Sequence, residues 1–113
     1  MLTKKMESAL NDQVNAELYS AYLYLAMAAY FEGSNLGGFA SWMKVQAQEE
    51  TVHALKIFDY VFERNGQVTL SAIEKPTGEW KSALDAFRAV YSHEQNVSGM
   101  IHHLVDIARG EKD

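Results

Sequence analysis

Helix breakers decide what this chain can fold into. Only one proline, Pro76, interrupts the 113 residues, and the glycines gather mostly at Gly33, Gly37, Gly38, Gly66, Gly78 and Gly110. Between those points apolar residues recur every three or four positions, the period of a helix with one buried face. The pattern predicts three helices, over about 4–32, 36–64 and 83–109, in a single all-α domain spanning residues 1–113. Thr3 is the expected N-cap of the first and Gly33 its stop. Ser34 or Asn35 is expected to cap the second, which ends before Asn65 and Gly66, and the third starts after Ser82 and ends at Gly110. Helices near 28 residues exceed the usual globular length of roughly 8 to 20, which points to a bundle. No heptad repeats strictly enough for a coiled coil.

The connections then choose the topology. About three residues join the first two helices and make them antiparallel neighbours. Residues 65–81 form a far longer link, which extended at about 3.3 Å per residue reaches roughly 55 Å. That length suffices to travel back along a 30-residue helix, about 45 Å long, and start the third helix parallel to the second. A four-helix bundle with one long crossover loop has this requirement, and three of its helices are present in this chain. Three such helices, two of them parallel, are expected to leave an apolar groove along one side, so either the chain is C-terminally incomplete or another chain fills the groove.

Composition removes several function classes. Cysteine is absent, which excludes thiolate-bound zinc and iron-sulfur clusters and leaves carboxylate, imidazole or phenol as the metal ligands available. A net charge of -5 without a basic run argues against nucleic-acid partners. The longest nearly apolar run, Ala21 to Phe31, falls short of the roughly 20 residues that span a bilayer, so no membrane partner is expected and a cytoplasmic location is the default.

Carboxylates inside the apolar stripes carry the functional signal. Leu10, Val14, Glu17, Ala21, Tyr24 and Ala28 share one face of the first helix; Met43, Ala47, Glu50, Ala54, Ile57 and Val61 share one face of the second. On the third, Leu84, Phe87, Tyr91, Glu94, Ser98, Ile101 and Val105 form the corresponding stripe. At about 1.5 Å per residue Glu17 lies about 22 Å from the first turn and Glu50 about 21 Å from it, so the two sit level. Glu94, 12 residues into a helix parallel to the second, falls at nearly the same height, and His53 follows Glu50 by three on the same face. Three ionised carboxylates at one depth repel one another and each loses several kcal/mol of hydration, so a cation must sit among them. Oxygen donors with one imidazole favour iron or manganese, and Glu50, the middle ligand, could bridge two ions. The Glu-x-x-His spacing alone is weak, since solvated helix faces produce it often. Tyr24 alone reads more readily as a core aromatic, Glu49 as solvated or near a secondary ion, and His93, His102 and His103 as surface residues.

NAELYSAYLYLAMAAYF, GFASWMKVQAQEETVHALKIFDYVFERNG, the AIEKP loop and the HEQNV helix together resemble a prokaryotic non-haem ferritin along the whole chain. The resemblance implies a ferritin-like bundle and an iron store with ferroxidase activity. Ferrous iron would be oxidised at a di-iron centre by dioxygen or hydrogen peroxide and stored as mineral in a hollow homo-oligomeric shell of 24 subunits. Glu17, Glu50 and His53 match the first iron site, with Glu50 bridging to a second that Glu94 helps to hold; Tyr24 matches the tyrosine beside the centre and Glu49 a ligand of an accessory third site. Haem-binding relatives carry methionine where this chain has Thr51, which implies no haem. Members have a fourth long helix supplying further ligands. The alternative is therefore a truncated fragment acting as a structural or assembly unit with little ferroxidase activity, and a rubrerythrin-like peroxidase is disfavoured by the missing cysteine-rich iron domain.

Overall fold

A computed structural model describes residues 2–111. Three helices, α1 (Lys4–Gly33), α2 (Gly37–Glu63) and α3 (Ala83–Glu111), lie within a body of 50 × 21 × 21 Å. The irregular crossover, residues 64–82, returns the chain along the bundle so that α3 starts beside the end of α1. Among the described residues no helix is long and apolar enough to cross a membrane.

The starts of α1 and α3 follow the expected capping chemistry. Thr3 Oγ1 accepts from Met6 N at 3.1 Å, and Ser82 Oγ accepts from Asp85 N at 3.1 Å. The first turn is built otherwise than expected. Gly33 is the last residue of α1, and the reversal falls on Asn35, at φ 60°. Asn35 N bonds Glu32 O and Leu36 N bonds Phe31 O, a Schellman closure in which asparagine takes the left-handed position because its short polar side chain tolerates it. Leu36 then serves at once as the last residue of that closure and as the N-cap of α2, so neither Ser34 nor Asn35 caps α2. The same closure ends α2, with Asn65 at φ 60°, Asn65 N on Phe62 O and Gly66 N on Val61 O. The crossover is strapped to α1 by Asn11, whose side chain donates to Gln67 O at 2.9 Å and accepts from Thr69 N at 2.8 Å.

α1 is the central helix: it packs against both α2 and α3, and the backbones of those two do not meet. Apolar packing falls into two clusters. One gathers Leu23, Met27, Phe31, Met43 and Ala86 with the partly buried Trp80 and Phe87; Phe31, Phe39 and Phe87 form a ring cluster with centroids 5.1–5.5 Å apart. The other joins Met6, Leu10, Val61 and Ile107 at the opposite end. The stripes read on α1 and α2 face inward, Ile57 only partly. The α3 stripe does not: Leu84, Tyr91, Ile101 and Val105 are exposed, and the buried positions are Ala86, Val97 and Ile107. With most of its packing on α1, and Phe87 reaching the rings of Phe39 and Trp42 on α2, α3 buries the side turned to α1 and leaves the stripe of Leu84, Tyr91, Ile101 and Val105 open.

Candidate metal centre

Glu17 and Glu50 meet between the two apolar clusters. Each occupies an inward position of its helix, in register with apolar neighbours one turn away, so the packing that folds α1 onto α2 drags both carboxylates inside: Glu17 is 3 % exposed and Glu50 7 %. His53, one turn beyond Glu50, brings Nδ1 to 3.6 Å from Glu50 Oε2 and 3.8 Å from Glu17 Oε2. One ligand atom from each of the three lies within 4.8 Å of the others. The Oε2 atoms of Glu17 and Glu50 are both fully buried and without a hydrogen-bond partner. Two orphaned carboxylate oxygens facing one imidazole form a donor set that a divalent transition ion completes and that an empty interior disfavours. His53 is half exposed, so this corner is also the solvent side of the cluster.

The electrostatics record the crowding. Burial pushes the Glu50 carboxyl up to about 8, reinforced by the Glu17 carboxyl beside it and by the negative charges of Glu94 and Glu49. In the absence of a cation a proton takes the cation's place. Burial also raises the Tyr24 phenol, followed by its hydrogen bond to Glu94 and the charges of Glu94, Glu50 and Glu17, so it stays a proton donor.

Glu94 reaches this slice by another route. It stands outside the tight Glu17, Glu50 and His53 group and accepts a hydrogen bond from the hydroxyl of Tyr24, itself 1 % exposed. Glu49 is exposed and lines a recess with Val45, Gln48, Val52, His53 and Lys56, on the outer side of α2. A wider recess of about 610 Å³ opens between α1 and α3 beside Ala9, Met100 and Ile107. The clustered ligands lie elsewhere, so its size does not mark the chemistry.

Two residues around the site escape a reading of the stripes. Gln13, buried on α1, donates from Nε2 to Glu17 Oε1 at 2.9 Å. Its signal was a second polar residue four positions before Glu17 on the same apolar face. His93, expected at the surface, is half-buried against Tyr19 and Tyr24, with Nε2 2.7 Å from Ser20 Oγ. Burial lowers its pKa, opposed by the charges of Glu94 and Glu17. His102 and His103 are exposed, as expected.

Known proteins of the same kind align along the chain. The Ferritin-like domain family matches residues 7–113. A bacterial non-heme ferritin of Bacteroides fragilis is 45 % identical over 114 residues, covering all of this chain and 71 % of that protein. One from Staphylococcus aureus is 39 % identical, covering all of this chain and 68 % of its own length. Among solved structures, an open pore ferritin from the hyperthermophilic archaeon Archaeoglobus fulgidus superposes with a TM-score of 0.98 at 57 % identity, over 99 % of this chain and 68 % of that one. A humanized archaeal ferritin matches with a TM-score of 0.98 at 56 % identity, over 100 % and 68 %. With its sequence, its helical fold and its buried carboxylate pair all pointing the same way, the chain belongs to the ferritin family, whose function is iron storage with ferroxidase activity.

Proposed function

We propose that this chain takes ferrous ions as a pair, its substrate, at an intra-subunit site among the three helices. Glu17, Glu50 and His53 hold the first ion, Glu50 bridges, and Glu94 helps to hold the second, with Glu49 near an accessory third position. The observation that carries this reading is the pair of buried Oε2 atoms on Glu17 and Glu50 that no protein group satisfies. Iron supplies the redox chemistry, one electron per ferrous ion passing to dioxygen or hydrogen peroxide.

The chain's own groups handle protons and position. The proton that Glu50 retains on account of burial and its acidic neighbours is released when cations arrive, converting it to a doubly available carboxylate. Tyr24, held protonated, donates to Glu94 and orients it. His53, at the half-exposed corner, is the ligand that incoming iron meets from solvent. Haem has no part in this reading: Thr51 presents a short hydroxyl committed to Ala47 O at 3.0 Å and offers no thioether. Oxidised iron is stored as mineral inside a homo-oligomeric shell, taken as 24 subunits, in the cytoplasm.

Aerobic ferrous oxidation by the purified chain tests the proposal. Glu50→Ala is expected to cause the largest loss among the ligands, at least about tenfold, because it removes ligation from both ions. Equal rates for wild type and this variant reject the bridging role. The exposed stripe of Leu84, Tyr91, Ile101 and Val105 on α3 favours a second reading, a structural unit that associates through that face. A wild-type rate no higher than the buffer blank selects it.

A further inference from the structure

His93 and Glu94 are adjacent on α3, and both grip α1. Their contacts, Ser20 and Tyr24, are one turn apart on that helix. His93 Nε2 lies 2.7 Å from Ser20 Oγ, and Ser20 Oγ also bonds the carbonyl oxygen of Ala16 at 2.9 Å. A hydroxyl has one proton, and a carbonyl can only accept, so the serine proton goes to Ala16 and Ser20 is the acceptor toward His93. Nε2 therefore carries hydrogen and donates. The imidazole is held edge-on to Tyr24 and tilted against Tyr19, with centroids at 6.0 and 5.7 Å. Ser20 itself is 0 % exposed.

The apolar contacts of α3 gather toward its two ends: Ala86, Phe87 and Val90 join the first cluster, with Phe87 against Phe31, Phe39 and Trp42, and Leu104, Ile107 and Ala108 join the second. The buried positions of the helix are Ala86, Val97 and Ile107, and the stripe that includes Leu84, Tyr91, Ile101 and Val105 is exposed. Among the described residues, side-chain hydrogen bonds between α1 and α3 occur at Ser20–His93, Tyr24–Glu94 and, at the far end, Thr3–Glu111. Between those ends Val97 is the buried apolar residue, so the middle of α3 takes its orientation largely from its polar contacts, and a local twist there would carry Glu94 away from Tyr24.

We propose that His93 is a positioning residue: by donating from Nε2 to Ser20 it fixes the middle of α3 on α1 and so holds Glu94 in place for the second cation. This rests on the reading of Glu94 as a ligand of that cation, and the experiment separates the two.

The full metal-free chain is titrated with zinc chloride by calorimetry, with far-UV circular dichroism on each variant. Wild type is expected to show two sites, and Glu94→Ala to lose one. His93→Leu and Ser20→Ala are each expected to weaken that same site about tenfold while leaving the other within twofold, and the double variant to be no weaker than either single. His93→Gln, which keeps a nitrogen donor at nearly the same reach, is expected to restore affinity to within about threefold of wild type. Second-site affinity unchanged in both His93→Leu and Ser20→Ala, with Glu94→Ala abolishing it, overturns the role of His93 and leaves Glu94 as a ligand. Two intact sites in Glu94→Ala overturn both. Should His93→Leu fail to fold, Ser20→Ala alone decides, since it removes the acceptor without touching α3.

Discussion

Gln13 Nε2 donates to Glu17 Oε1 across one turn of α1, at 2.9 Å and with both side chains buried. The bond occupies one carboxylate oxygen and leaves Oε2 as the oxygen turned toward Glu50 and His53. A carboxylate tethered in this way loses the freedom to swing away from a cation. Gln13→Leu, close in volume, is expected to weaken zinc binding at the Glu17 site about tenfold, and to destabilise the metal-free chain by about 1 to 3 kcal/mol through the unsatisfied oxygen. Calorimetry and urea unfolding read the two effects. Unchanged affinity would make the bond a matter of stability alone.

Glu50 sets the pH response of the metal-free chain. Its folded pKa is raised to about 8 from an unfolded value of 4.5, so the folded state binds the proton more tightly. That contribution is fully present below about 4.5 and is lost as pH rises through about 8. Metal-free protein is therefore expected to become less stable by a few kcal/mol between pH 5 and 8, and zinc or ferrous ions to reverse the trend at the upper end. Glu50→Gln, neutral at every pH, should flatten the curve. Chemical denaturation at several pH values with and without metal checks this, and a metal-free stability that rises over the interval contradicts it.

Tyr24 behaves in the same sense at higher pH. Burial and the Glu94 hydrogen bond raise its phenol above the ordinary 10.0, so its stabilising contribution, present below 10, fades in more alkaline solution. Of the six tyrosines, Tyr24 should not ionise while the protein is folded. Wild type and Tyr24→Phe are expected to gain the same tyrosinate absorbance until alkaline unfolding, and wild type one residue more beyond it. An extra residue titrating in folded wild type would show the phenol to be more accessible than its burial indicates.

How much of this was legible depended on whether a position had a neighbour on both sides. The stripes through Glu17 and Glu50 could be read because α1 and α2 bury each other along their length. The α3 stripe obeyed the same period and misled, since periodicity states that a face is apolar and not what covers it. The turns were misread for a related reason. Gly33 looks like a stop, while the left-handed residue is Asn35, and one residue, Leu36, closes α1 and opens α2. His93 gave no periodic signal at all: it lies about 100° around the helix from Glu94, and its partner Ser20 is 73 residues away.

Glycine substitutions at the two ends of these motifs should act in opposite directions. A Cβ on Gly66 would stand 2.8 Å from Leu2 Cδ1, 2.9 Å from Val61 Cγ1 and 3.2 Å from Val61 O. Leu2 can yield by rotating, but Val61 is 0 % exposed and stiff at its branched Cβ, and the carbonyl belongs to the closure that ends α2. Gly66→Ala is expected to cost about 1 to 3 kcal/mol. Gly33, helical and with nothing within 4 Å of an added Cβ, loses chain entropy on folding without return, so Gly33→Ala should stabilise by about 0.5 to 1 kcal/mol. Melting temperatures in the metal-free state compare the pair directly. A Gly66→Ala variant as stable as wild type would mean that the junction of α2 with the crossover relaxes around the methyl, and the close approach of Val61 would then have no energetic weight.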